Sequence, residues 1–489
     1  MTVKMRLRKC LVVGGWFLLT WVVFGQTVDR TKHPIPGPVP VLKLPPVQHY
    51  QLSNHLPVIL LEKHNVPLVQ IEVVVRAGSA VDPEDKSGLA SLTAAVMDEG
   101  AGSRNSLEFA DALDYLGASI SAFAGWHSSG VSLHTPVSKL DSALSLFADE
   151  VLRPRLPDEE LERQRNDRLT TMMQWRDDPE MIASILCQKV IYGGHHPYGR
   201  PVIGNERSIR SIGIDDLKKF HSSYFLANNA TLVIVGDVTP KTILPKLEAL
   251  FGHWENGSVP RLEFPVLVQV QKKMLYFVDK PGSEQSEIIF ARVGAERKSD
   301  DYFALQVMND ILGGAFTSRL NQNLREEHGY TYGASSLFDC RLFRGPFTAH
   351  AAVQTAVTDK ALGEFLHELN AILQPVGDDE LVRAKNYITL RYPRNFETVE
   401  GIADRLVELV IYDLPDKYFN NFTDNILGVG KNDVLRVAKK YIDPENFAII
   451  LVGDRKKIEQ GVADLQLAPV KYFTIEDVLG PAPAVRIPR

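Results

Sequence analysis

Cysteine is scarce in this chain, with three among 489 residues. Cys10 lies in the first 25 residues, which leaves Cys187 and Cys340, one in each half. So few thiols in a chain of this size exclude a disulfide framework, and their apolar neighbours predict buried free thiols. The apolar run Leu11 to Gly25 has fifteen residues, short of the ~20 that span a bilayer as a helix. None of the thirteen histidines falls in a His-x-x-Glu-His, His-Glu-x-x-His or His-x-His pattern. A zinc pair of any of those spacings is therefore excluded. There is also no basic block. The whole chain carries −6, and without residues 1–25 the remaining 50 basic and 60 acidic residues leave −10. An acidic body of this kind argues against nucleic acid and anionic membrane as partners.

What is present begins with Lys4, Arg6, Arg8 and Lys9 ahead of that apolar run, and Val23-Phe24-Gly25 before Gln26. This is the layout of a secretory signal peptide over 1–25, and it predicts export, to a bacterial periplasm. A retained membrane anchor is the other reading of the same segment. Residues 26–47 follow as a proline-rich arm (HPIPGPVPVLKLPP at 33–46) with no core of its own.

Composition beyond this point is that of a globular protein, 45% hydrophobic and 23% charged, with enough chain for more than one core. Strands are expected at Pro57–Glu62 and Leu68–Arg76, then a helix from Gly88 to Gly100 with Leu89, Leu92, Val96 and Met97 at helical spacing. Asn105 and Glu108 make a capping-box start for a helix that stops at Gly117. Ser119–Trp126 and Gly130–His134 read as paired strands. Leu140, Leu144, Phe147 and Val151 stripe the next helix, and Pro157 with three acidic residues opens another.

The plan then repeats. Residues 134–161 align without gaps on 354–381, an offset of 220, and 216–237 on 433–454, an offset of 217. Two segments in the same order with nearly equal offsets define a duplicated domain of about 220 residues. The join falls near 255–265, and the expected domains are 48–255 and 271–475, with a linker at 256–270 and a tail at 476–489. Mixed helices and antiparallel strands in each half make the class α+β, not doubly wound.

The stretch VQIEVVVRAGSAVDPEDKSGLA, together with the helix it opens, resembles the zinc-binding segment of the pitrilysin/insulinase-type metallopeptidases, which carry His-x-x-Glu-His there. The resemblance covers 48–475. It places the two histidines on Ser91 and Ala95 and the general base on Ala94. The family's third ligand falls on Thr171 or Met172 in LERQRNDRLTTMMQW. None of these side chains can serve, so the resemblance implies a degenerate zinc site and no metal or cofactor bound by this chain. Glu162 and Asp167 on the same helix read as a solvated face. GGHHPYGRPVIG (193–204) matches another family segment, with His195 and His196 read as loop packing.

In the second half, NQNLREEHGYTYGASSLF (321–338) reads as a helix ending at Gly329 and then a strand. It resembles the family segment whose arginine and tyrosine, here Arg325 and Tyr332, contact substrate across a chamber. A guanidinium suits peptide carbonyls, and a phenol can donate to a tetrahedral oxyanion. The implied fold is two homologous α+β domains around a clam-like peptide chamber, with peptide added as a strand on a sheet edge. The implied function is a zinc-less subunit supplying Arg325 and Tyr332 to a homologous zinc-bearing partner for peptide proteolysis. A structural or peptide-binding scaffold of the same fold is the rival.

Overall fold

The computed structural model describes residues 42–261 and 263–484, together with Gly37. The expected signal segment and most of the expected proline-rich arm lie outside the described residues. Two six-stranded sheets organise the chain. The first holds β1 (Gln48–Gln51), β2 (Pro57–Glu62), β3 (Leu68–Val75), β4 (Ser119–Ala124), β5 (Ser129–Pro136) and β6 (Ala230–Gly236), in the order β1-β2-β6-β3-β5-β4. The second holds β7 (Met274–Asp279), β8 (Gln285–Val293), β9 (Thr331–Phe338), β10 (Pro346–Gln354), β11 (Ala448–Gly453) and β12 (Val470–Phe473), in the order β12-β7-β11-β8-β10-β9.

Five strands of each sheet correspond one to one. β2 runs parallel to β6 as β7 does to β11, and β3 and β8 each lie antiparallel to both flanking strands. The sixth strand differs: β1 precedes β2 and pairs antiparallel, whereas β12 comes from the far end and pairs parallel with β7. The chain is therefore a duplication of mixed helix and sheet, two sheet-bearing α+β domains.

The first half includes the helices α1 (Leu89–Met97), α2 (Ser106–Leu116), α3 (Leu140–Leu152), α4 (Asp158–Gln174) and α5 (Pro179–Tyr192), with three more after them at Glu206–Ser211, Ile214–Tyr224 and Pro240–Phe251. α1 is shorter than its apolar spacing suggests. It starts after Gly88, whose φ of +95° favours glycine, and gives way at Asp98. The α2 capping box forms as expected, with Asn105 Oδ1 accepting from the Glu108 amide at 2.9 Å. In the second half the helix expected before Gly329 departs further from its pattern. The segment after Asn321, Gln322–Glu327, winds as π-helix, and Gly329 follows with a φ of +65°.

The halves are joined by exchanged helices. α5 leaves the first half and lies on β8 and β11, while the helix Val399–Tyr412 leaves the second and lies on β3 and β6. These two helices begin and end 220 residues apart, so the exchange is itself duplicated. Ile182 and Leu186 thus share an apolar cluster with Val278, Ile289 and Ile450. On the other side Ile59, Leu61, Val233 and Val235 belong to the cluster that includes Ile402, Leu406 and Val410. Polar ties follow the same seam. Arg76 pairs with Asp413 at 2.8 Å, His134 with Glu400 at 2.8 Å, and the Arg341 guanidinium stacks 4.4 Å over Trp126. The two described thiols are free, Cys187 buried and Cys340 only half-buried, and burial pushes both up to about 12.

Asp301 shows how the second half fixes its own helices. Burial disfavours its charge, but Lys440 (2.6 Å), Arg436 and the Tyr441 hydroxyl (2.9 Å) all donate to it, and its carboxyl is held down at about 2. A depressed carboxyl stabilises the fold above its unfolded value, near 3.9, and that contribution fades as pH falls towards 2. Asp301→Asn is therefore expected to lower urea stability at pH 7. The gap between wild type and variant should close as pH is lowered from about 5 to about 2; a gap independent of pH would refute the assignment.

Candidate functional site

α1 is held at its start from a distance. The Asp82 carboxylate accepts from the Gly88 amide (2.8 Å) and the Ala90 amide (2.9 Å), which satisfies amides that the helix leaves free. Burial pushes the Asp82 carboxyl up to about 7 against these bonds and the nearby Arg200. The helix so anchored presents Ser91, Ala94 and Ala95, the positions where the resemblance places two ligands and a base.

Ser91 is buried, and its hydroxyl faces the Val202 carbonyl at 2.9 Å and the Gly88 carbonyl at 3.2 Å. Arg168 of α4 donates to the same hydroxyl at 2.8 Å, and its Nη1 lies 3.4 Å from the Ile203 carbonyl. Burial lowers the Arg168 guanidinium to about 10 while Asp82 supports it, so it stays charged at neutral pH. Ala94 is buried and Ala95 half-buried, and neither has a donor atom. Thr171 is exposed, with its hydroxyl bonded back to the Asp167 carbonyl at 3.1 Å. Met172, its alternate, is buried and lines a cavity of about 660 Å³ with Arg200, Gly204 and the C-terminal residues 476–481 and 483.

A catalytic zinc does not fit this set. Its ligands would be one hydroxyl already shared with two carbonyls and a guanidinium, two methyl groups and a threonine turned away. A cationic side chain stands on the position of the first histidine, which alone disfavours a divalent ion. Among the described residues, no three histidine, cysteine, aspartate or glutamate side chains are placed to hold a metal.

The neighbouring candidates resolve into structural roles. Glu162 and Asp167 pair with Arg165 and Arg163 along α4 (3.1 and 3.3 Å). His196 is buried and its Nδ1 accepts the Tyr198 amide at 3.0 Å, with the ring pushed down to about 4 by burial and then by Arg200 and Arg341. His195 is exposed and pairs with Glu84 at 2.9 Å.

The second-half pair is placed differently. Arg325 lies in the π-helical turn, its guanidinium 4.3 Å over the Phe316 ring and 3.5 Å from Glu326. Tyr332 stands near the start of the edge strand β9 and is 91% exposed, an unusual position for a tyrosine with no packing duty. Arg325 is half-buried, and the Phe316 ring it covers is itself exposed.

Sequence reading missed Arg168, Asp82 and the pair Asp98–Glu150 described below. Arg168 was the most accessible of these, since it precedes Thr171 by three residues and so lies on the same helix face.

A duplicated α+β fold whose metal-bearing helix has kept its place and lost its donors defines a metallopeptidase homologue without a catalytic metal site. Residues 57–203 match the family model described as insulinase (peptidase family M16), and residues 211–388 match the one described as peptidase M16 inactive domain. The chain belongs to the insulinase family, peptidase family M16. It is 23% identical over 421 residues to a Helicobacter pylori protein named non-peptidase homolog YmxG, covering 84% of this chain and 94% of that one. It is 24% identical over 291 residues to a Bacillus subtilis protein named uncharacterized zinc protease YmxG, covering 59% and 69%. Among solved structures, a peptidase M16 inactive domain from Pseudomonas fluorescens is similar with a TM-score of 0.78 at 26% identity, over 83% of this chain and 98% of that one. A chain of complex III from Candida albicans shares the fold with a TM-score of 0.71 at 15% identity, over 86% and 100%.

Proposed function

We propose that this chain is the zinc-less subunit of an exported peptidase assembly, in which a homologous partner holds the zinc. Arg325 and Tyr332 would reach the peptide bound at the partner's metal, Arg325 to a peptide carbonyl and Tyr332 to the oxyanion of the tetrahedral intermediate. One contrast carries the reading: the metal position is filled by Arg168 and Ser91, while Tyr332 stands 91% exposed and Arg325 is half-buried against the exposed Phe316 ring. The test is peptide cleavage by the purified pair. Tyr332→Phe should lower kcat roughly 10²–10³-fold, the usual effect of removing one oxyanion donor. Arg325→Ala should raise KM, and both variants should still co-elute with the partner. Zinc-dependent cleavage by the lone chain would overturn the reading.

A second reading, a peptide-binding or structural scaffold without a part in catalysis, has its own support. Backbone groups on the free sides of β4 and β9 are already bonded to side chains, so strand addition meets competition on both, which supports the structural form of this reading over the peptide-binding one. Unchanged kinetics in both variants would favour it.

A further inference from the structure

β4 and β9 are outer strands, and an outer strand's unpaired amides and carbonyls are where an extended peptide adds. In the β4–β5 ladder the Gly125 amide bonds the Ser128 carbonyl, so alternation turns the backbone groups of residues 120, 122 and 124 outward. The Ala122 amide does not meet solvent. It donates to Asp98 Oδ1 at 2.6 Å, from the residue that ends α1.

The related edge in the second half is closed differently. The Ala334 amide donates to Asn321 Oδ1 at 3.0 Å, and Asn309 Nδ2 donates to the Ser336 carbonyl at 3.0 Å. Gly313 also packs so close that a Cβ there would stand 2.3 Å from the Ser336 nitrogen. Neutral amides and main chain therefore seal β9, whereas a single carboxylate on an exposed residue covers β4.

Behind that carboxylate sits Glu150 of α3, wholly buried, and no donor among the described residues reaches either of its oxygens. Burial, and then the Asp98 charge, hold its carboxyl well above the usual range, and burial raises Asp98 as well, directions that favour a proton kept between the two carboxyls. The adjacent Glu99 is taken up by Arg163, Gln164 and Ser106.

We propose that Asp98, held in place by Glu150, is an internal latch on the β4 edge that an extended, unstructured peptide must displace in order to pair with Ala122. The latch needs no second subunit, so its failure would leave the two-subunit reading standing. The experiment uses the full chain, amide exchange at Ala122, and a fluorescein-labelled eight-residue peptide of alternating Thr and Val. Asp98→Ala should exchange at least tenfold faster at Ala122 and bind the peptide at least tenfold more tightly, and bound peptide should restore protection there. Glu150→Ala should move both readouts the same way. Glu150→Gln, whose amide still donates to Asp98, should stay close to wild type. Exchange at Ala122 that is unchanged in both alanine variants, or peptide binding that leaves Ala122 unprotected, would overturn the latch.

Discussion

A chain carrying Ser91→His, Ala94→Glu, Ala95→His and Met172→Glu is expected to hold no stoichiometric zinc while Arg168 remains, and to gain it when Arg168→Met is added. The four replacements restore two imidazoles, a carboxylate ligand and a base at the positions the family uses. They do not remove the guanidinium that now reaches residue 91 at 2.8 Å. Two unit charges 4 Å apart at an effective dielectric of 20 interact by about 4 kcal/mol, and a divalent ion doubles the repulsion. Even half of that total corresponds to about a thousandfold in affinity. Methionine keeps most of the arginine stem's packing without its charge. Elemental analysis after dialysis, with calorimetric titration of zinc, reads both steps. Tight one-to-one zinc in the variant that retains Arg168 would show that the guanidinium swings clear and is not what closes the site.

The parts of this architecture that repeat at short range were legible in the sequence. The apolar run of β3, the Asn105–Glu108 cap and the Gly117 stop are local devices, and each formed where expected. The duplication was legible because like segments such as 216–237 and 433–454 keep the same spacing. What periodicity could not reveal is which sheet a helix packs on. α5 has the apolar pattern of any buried helix, and nothing in Ile182 or Leu186 says that their partners lie in the other half of the chain. The π-helical turn after Asn321 was likewise hidden, since its residues suit an α-helix equally well. At the site, the loss of metal donors was plain from residue identity. Its refilling by Arg168, and the closing of β4 by Asp98, depend on contacts spanning 77 and 24 residues.

The exchanged helices make a second strong prediction, that the halves unfold as one unit and that weakening either side of the seam weakens both. Leu186 is 1% exposed between α5 and the second sheet, and Ile450 of β11 is fully buried on the other side of the same cluster. Removing their side chains leaves cavities that the packed helix and sheet cannot collapse into, at a cost of about 2–5 kcal/mol each. The chain is suited to the test, because beyond residue 25 its tryptophans, Trp126, Trp175 and Trp254, all lie in the first half. Trp254 sits in the first-half core and Trp126 and Trp175 at the seam, so tryptophan emission follows the first half and its junction, while far-ultraviolet dichroism follows both halves. In wild type the two urea transitions should coincide. Ile450→Ala, a change in the second half, should shift the tryptophan transition as far as Leu186→Ala does, because neither sheet keeps a covered face once the other half opens. A tryptophan transition that ignores Ile450→Ala would mean each half carries its own stability and that the exchange is contact without coupling.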